Sequence, residues 1–171
     1  MVAEIGFTGE LNLDQYVSRL KDLGPALDKI GLYTERRTGQ AIAAGKKLSG
    51  QPLAPLAPLT KAEKQFRGKA SGVLRRDGGL LADLRSTRPR SNEVQVGWSL
   101  EYAPWVILGT RPYKIRPKAS STLRFYTDDG WRSSSEINHP GLPERNVFEG
   151  AAQAISPYAI QVIQEHIDSG R

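Results

Sequence analysis

Few residues in this chain have the types and spacing that chemistry needs. There are two histidines, His139 and His166, and no cysteine. Thiolate chemistry is therefore excluded, as are disulfides and sulfur-ligated metals. The histidines lie too far apart for the H-x-x-x-H spacing that sets two imidazoles on one helix face around zinc. Asp128 and Asp129 are adjacent carboxylates, but "TDDG" reads as a turn and not as an acid–base pair. The serines of "RSSSE" lack the G-x-S-x-G elbow that would expose a nucleophile. "DGGLL" lacks the Gly-Lys-Ser/Thr ending of a phosphate loop. His166, near the end of an apolar-faced helix, suits the negative pole of that helix. The expectation is a protein without a catalytic, cofactor or metal site.

The remaining chemistry is electrostatic. The net charge is +6. Residues 84–118 hold seven Lys/Arg against two Glu, whereas residues 119–171 hold four against seven Asp/Glu. "GTRPYKIRPK" concentrates the cations: Arg111, Lys114, Arg116 and Lys118 alternate with Pro112, Tyr113 and Pro117. Proline fixes φ and removes a donor, so residues 109–122 read as an extended basic arm. Such an arm is either a solvated loop or a surface for an anionic partner. If that partner is DNA, phosphate contacts are expected from Arg85, Arg88, Arg90, Arg116 and Lys118. No helix-turn-helix, zinc-finger or RNP signature accompanies them. Trp98, Tyr102 and Trp105 are read as packing residues, not as stacking platforms.

These residues must be held by a domain of ordinary size. The chain has 171 residues, 39% of them hydrophobic and 25% charged, which places it among globular proteins and gives a single domain, 1–171. No run approaches the roughly 20 apolar residues of a membrane span, and "MVAEIGFTGE" does not read as a signal peptide. "VAEIGFTGEL" predicts a short strand. Tyr16, Leu20, Leu23, Leu27 and Ile30 recur at helical steps and predict a long helix to about Lys47, kinked or broken at Gly24-Pro25. Residues 50–59, with proline at every third position in "QPLAPLAPL", predict a stiff connector. Thr60 is expected to cap a short basic helix, and Asp77-Gly78-Gly79 to form a turn. "EVQVGWSLEY" predicts a strand through Val94, Val96 and Trp98. "APWVILGT" is either a strand or a short buried helical turn. "STLRFYTDDGWRSSSEIN" predicts a hairpin. The last helix is expected to begin near Pro143 or Glu144 and to bend or split at Ser156-Pro157. The fold class is α+β: one small antiparallel sheet of about four strands, with the long N-terminal helix and the C-terminal helix on one face.

Four segments carry a resemblance when taken in order. "PLTKAEKQFRGKASGVLRRDGGLLADL" is followed by "EVQVGWSLEYAPWVILGT", "KIRPKASSTLRFYTDDGW" and "INHPGLPERNVFEGA". Across about residues 50–155 the chain resembles the virion-morphogenesis and tail-completion proteins of tailed bacteriophages. The matching positions are Gly79, Leu80, Tyr102, Ala103, Gly109, Thr110, Ile115, Pro117, Lys118, Leu123, Phe125, His139, Pro140, Gly141, Arg145 and Phe148. The chain departs from the family pattern at Leu108, where an acidic residue is usual, and at Asn146, where proline is usual. The resemblance implies a structural protein of the virion, assembled in the host cytoplasm. It would form a ring of six or twelve copies in the neck, between head connector and tail proteins, with DNA passing through the channel. It implies that the stretch after Gly109-Thr110 leaves the sheet as a loop or hairpin that clasps a neighbour. Tyr102, Trp105, Phe125 and Phe148 are then expected to form the core at its base. His139 is expected to hydrogen-bond backbone in a tight crossing through Pro140 and Gly141.

Overall fold

The computed structural model describes residues 17, 18, 20, 22–69, 72–74, 79–118, 120–127 and 129–169, with Leu59 and Tyr126 as backbone only. The expected N-terminal strand and the Asp77-Gly78 part of the expected turn lie outside these residues.

Val17, Ser18 and Leu20 are helical, but Asp22 and Leu23 are not. Helix α1 then spans Gly24–Ala43 with Pro25 in its first turn. Proline here opens a helix instead of kinking one, because a first-turn N–H has no intrahelical acceptor to lose. The helix also ends earlier than expected. Gly45 adopts φ +66°, its N–H donates to Ile42 O, and the Lys46 N–H donates to Ala41 O. These two bonds make a Schellman stop, which only a residue tolerant of positive φ completes cheaply. Helix α2, Pro58–Phe66, repeats both devices: proline in its first turn, where Thr60 was expected as cap, and Gly68 at φ +61° after its end. Between them the connector is extended from Pro52 to Ala57, and its Leu53 is buried.

Gly79 opens a short helix, α3, Gly79–Asp83, and is not a turn glycine. A Cβ there would meet the Tyr102 hydroxyl at 2.9 Å. The Asp83 carboxylate accepts the Ser99 hydroxyl at 2.8 Å and the Ser99 and Leu100 N–H groups at 2.7 and 3.1 Å. Those bonds, the hydroxyl's foremost, hold its pKa below the ordinary aspartate range.

Strand β1, Arg85–Arg90, pairs antiparallel with β2, Glu93–Gly97, with a register shift between Thr87 and Arg90. Pro89 lies in that interval and has no N–H to give the ladder. Helix α4, Ala103–Leu108, resolves the ambiguous "APWVIL" as helix. Strands β3, Tyr113–Ile115, and β6, Ile137–His139, pair with each other, as do β4, Leu123–Thr127, and β5, Gly130–Ser134. The expected four-stranded sheet is not formed among the described residues. The six strands make three separate two-stranded antiparallel pairs.

Helix α5 spans Ala151–Asp168, beginning eight residues later than Pro143. The delay has a packing cause. Arg145 and Val147 are both buried while their neighbours are not, an alternation that a helix does not give, and residues 147–150 turn into α5. The segment is tied down by Arg145 N–H to Ile107 O, Leu48 N–H to Val147 O and Ser49 N–H to Glu149 O, each at 2.8 Å. Pro157 does not split α5. It is exposed, and the helix is held by its other face, where Tyr158 stacks on Tyr33 of α1 with ring centroids 3.9 Å apart.

Two apolar clusters result. The larger gathers Ile42, Leu53, Leu74, Leu80, Ala103, Ile107 and Val147, with Trp98 and Phe148 against it. The smaller gathers Ala26, Ile30 and Val162 between α1 and α5. Helix α1 also lies on the β1–β2 hairpin, where Gly31 leaves room for Val94 and Ser86, and Glu35 accepts the Ser86 N–H at 2.8 Å. No described helix is long and apolar enough to cross a membrane.

Thr38 sits in α1 at 0% exposure, and its hydroxyl has no hydrogen-bond partner among the described residues. A buried hydroxyl without a partner carries its full desolvation cost. Thr38→Val is expected to raise stability by about 1 kcal/mol, read as a higher urea midpoint at unchanged slope. A lowered midpoint would contradict this.

Candidate functional site

The segment singled out for its cations is the outgoing half of a two-part β-ribbon. β3 and β4 run outward, and β5 and β6 return. The inner ladder pairs Tyr113 with His139, Lys114 with Asn138 and Ile115 with Ile137. The outer ladder runs from Leu123–Ser134 to Thr127–Gly130. Between the ladders the outgoing side has seven residues, 116–122, against two on the return, so regular pairing breaks there. The expected arm, 109–122, is thus strand in part and not a free extended segment. The tip turns through Gly130 at φ +101°, where the Asp129 carboxylate accepts from Arg132 at 2.6 Å.

The ribbon's root is built from the motif glycines. Thr110 and Leu142 exchange two backbone hydrogen bonds of 3.0 and 3.2 Å, and the Thr110 hydroxyl oxygen also accepts the Leu142 N–H at 3.0 Å. Gly109 and Gly141 flank this bridge at φ +78° and +89°. A Cβ on Gly109 would stand 2.5 Å from Leu142 O, and one on Gly141 would press on Thr110 O. His139 acts as expected of it: Nδ1 accepts the Gly141 N–H at 3.0 Å, across Pro140. Its ring stacks on Tyr113 at 4.8 Å between centroids.

The cations are distributed differently from the sequence expectation. Lys114 and Arg116 both donate to Glu136, at 2.8 and 2.7 Å. That carboxylate is held below the ordinary glutamate range, by Lys114 first and Arg116 next. Arg111, Pro112, Tyr113 and Lys118 are exposed, and Arg111 and Lys118 lack an ionic partner among the described residues. Of the residues proposed for phosphates, Arg85 donates to Leu84 O, Arg88 reaches Asp28 at 3.4 Å and Arg90 reaches Glu93 at 3.4 Å. Four of those five candidates, Arg116 included, thus already face acceptors in this chain, and they form no single stripe. Arg88 lies over α1, whereas Arg116 is on the ribbon.

Of the aromatic core expected at the root, only Phe148 is in place. Phe148 packs on the larger cluster and meets Trp98 at 5.3 Å, whose indole N–H donates to Leu80 O at 2.6 Å. Tyr102 and Trp105, however, are 42% and 60% exposed. Helix α4 buries Ala103 and Ile107, one turn apart, and Trp105 falls on the opposite side. Phe125 sits half-buried in the outer ladder, away from the root. Leu80, Ala103 and Arg145 are buried.

Sequence reasoning missed Glu136 and Trp131. Glu136 lies 22 residues beyond Lys114, a pairing visible only once the ribbon's register is known. Trp131 is 61% exposed beside the tip, with the Arg124 guanidinium 5.6 Å from its ring centroid. Its place directly after the turn glycine was the available signal.

Because the Glu136 pKa is depressed, its two ion pairs stabilise the ribbon fully above the ordinary glutamate pKa of about 4.3. They are lost as pH falls below that through the lowered value. Amide-exchange protection at Lys114 and Asn138, corrected for intrinsic rates, is expected to drop in that acid window. In Glu136→Gln it should be lower at neutral pH and should not change there.

No family model, curated protein or solved structure matches the chain.

Proposed function

We propose that this chain is a structural subunit of a tailed-phage particle, a ring-forming neck protein that joins the tail to the head connector without catalysing a reaction. The carrying observation is the ribbon. Residues 113–139 include no buried side chain among those described. Among the described residues its ladders are two-stranded, with open outer edges, and it displays Trp131 and Tyr113. A limb that buries nothing of its own gains little from folding alone. Open edges and exposed aromatics gain free energy when a neighbour covers them. Two of the family-like segments, the second and the fourth, also meet at its root, through Gly109, Thr110, His139 and Gly141.

Ring closure needs a heterologous contact, one patch of a copy against a different patch of the next. The ribbon, with five Lys/Arg against three Asp/Glu over residues 113–139, and the stretch after it, with two against four over residues 140–171, supply opposite charges for it. The unpaired Arg111 and Lys118 are the arm cations left for a partner.

The test is native mass spectrometry and negative-stain microscopy of the full chain, beside a variant in which a short Gly-Ser link replaces residues 116–136. Closed rings, six- or twelvefold, are expected from the full chain, and a folded monomer from the variant. A full chain that stays monomeric, together with its absence from purified particles, would falsify the proposal. Monomers that bind duplex DNA with a steep log–log salt dependence would favour the nonspecific nucleic-acid module instead.

A further inference from the structure

Away from the ribbon's strands, α2, α3 and α4 border a half-open cavity of about 450 Å³. Its walls are mainly Leu56, Leu74, Leu80, Val106 and Leu142, with Arg145 on one side. This volume lies within the range of small-molecule sites, and apolar walls with few polar groups are their usual lining.

Arg145 makes the cavity more than a packing fault. It is only 6% exposed. Nε donates to Ala54 O at 3.0 Å and Nη2 to Pro55 O at 2.9 Å. Nη1 has no partner, and no carboxylate pairs with the guanidinium, among the described residues. Burial lowers its pKa from the ordinary arginine value. Two carbonyl dipoles satisfy two donors but leave the charge without a counter-ion, and a buried unpaired charge is costly. The other polar groups on the wall are the Thr60 and Tyr102 hydroxyls and Lys64, whose ammonium donates to Gly72 O at 2.8 Å.

We infer that this cavity binds a monocarboxylic acid with an apolar body, its carboxylate on the free edge of Arg145 and its hydrocarbon among the leucines. A carboxylate supplies the missing charge and accepts from Nη1 in a charge-assisted bond. Inorganic phosphate has no hydrocarbon to cover the leucine wall, which is most of the lining. A neutral apolar molecule would fill the space and leave the charge unpaired. Arg145 thus has two roles, fastening the connector through Ala54 and Pro55 and presenting its remaining edge to the ligand.

The probe is octanoate, titrated into the full chain by calorimetry beside 1-octanol, which has the same tail and no charge. Octanoate is expected to bind at least about tenfold more tightly. Val106→Phe, which fills the cavity and leaves Arg145 in place, should weaken octanoate by about tenfold or more with an unchanged circular dichroism spectrum. Arg145→Met should reduce octanoate to the level of octanol. Should that variant fail to fold, because the connector clasp is lost as well, the octanoate-to-octanol ratio and Val106→Phe decide. No octanoate binding at millimolar concentration, equal binding of acid and alcohol, or indifference to Val106→Phe would each overturn the assignment.

Discussion

Gly141→Ala is expected to destabilise the protein by at least about 3 kcal/mol, whereas Gly50→Ala costs about 1 to 2 kcal/mol. The two glycines have nearly the same backbone angle, φ +89° and +85°. Left-handed strain is therefore common to both substitutions. They differ in what a new methyl meets. Nothing lies within 4 Å of a Cβ on Gly50. On Gly141 it would press on Thr110 O and lie 2.9 Å from the Arg111 carbonyl carbon. Those atoms are backbone, so no rotamer change relieves the clash. Relief requires opening the Thr110–Leu142 bridge, which forfeits its two backbone bonds and the bond to the Thr110 hydroxyl oxygen.

Urea denaturation of both variants, followed by circular dichroism, measures the difference. The expected gap of about 1.5 kcal/mol or more reports how firmly the ribbon is rooted. Leu142 ties the root to the body, because it also lines the cavity beside Arg145, so a local release is not free. Equal losses would mean that the root opens without disturbing the body. In that case the ribbon is a hinged limb, and a rigid clasp between ring neighbours loses its physical basis.

The legible parts of this fold are those coded by a single residue's backbone chemistry. Gly24-Pro25 marks an interruption in the helical pattern, and Asp129-Gly130 marks the hairpin tip; that Pro25 and Pro58 each open a helix was not read. Gly45 was equally readable as a helix stop, but the apolar-small run through Ala43 and Ala44 masked it. Reading failed where the cause is tertiary. Strand patterns at 113–115 and 137–139 do not announce that they pair with each other and not with β2, because three-residue strands carry almost no register information. The delayed start of α5 follows from Arg145 and Val147 both needing the interior, which becomes visible only when Ile107 and Leu48 are present as partners. Trp105 misled because aromatic mass was equated with burial, while α4 is short enough for Ala103 and Ile107 to fill its inner face. The arm's position was legible. Its free charge was not, since Glu136 neutralises Lys114 and Arg116 from across the ribbon.

Ile42→Ala is the core substitution with the largest expected loss, about 4 kcal/mol within the 2–5 kcal/mol usual for a buried isoleucine. Ile42 is 0% exposed in the last turn of α1. It shares the larger cluster with Leu53 of the connector, Leu80 of α3, Ala103 and Ile107 of α4 and Val147 before α5. These come from four separate segments, so collapse around the void would have to move all of them, and the cavity term stays large. Against a total stability of roughly 5–15 kcal/mol, such a loss changes the folded fraction measurably at moderate urea. The substitution also asks whether the chain is one cooperative unit. Helix α1 belongs to both clusters, with Ile42 at one end and Ala26 and Ile30 at the other. Damage at Ile42 should therefore reach the α1–α5 contact. Far-ultraviolet circular dichroism, dominated by those two helices, and tryptophan fluorescence, with Trp98 against Phe148, should lose their midpoints together. A fluorescence midpoint that falls while the circular dichroism midpoint stays would divide the chain into two folding units, with α1 and α5 forming one without the rest.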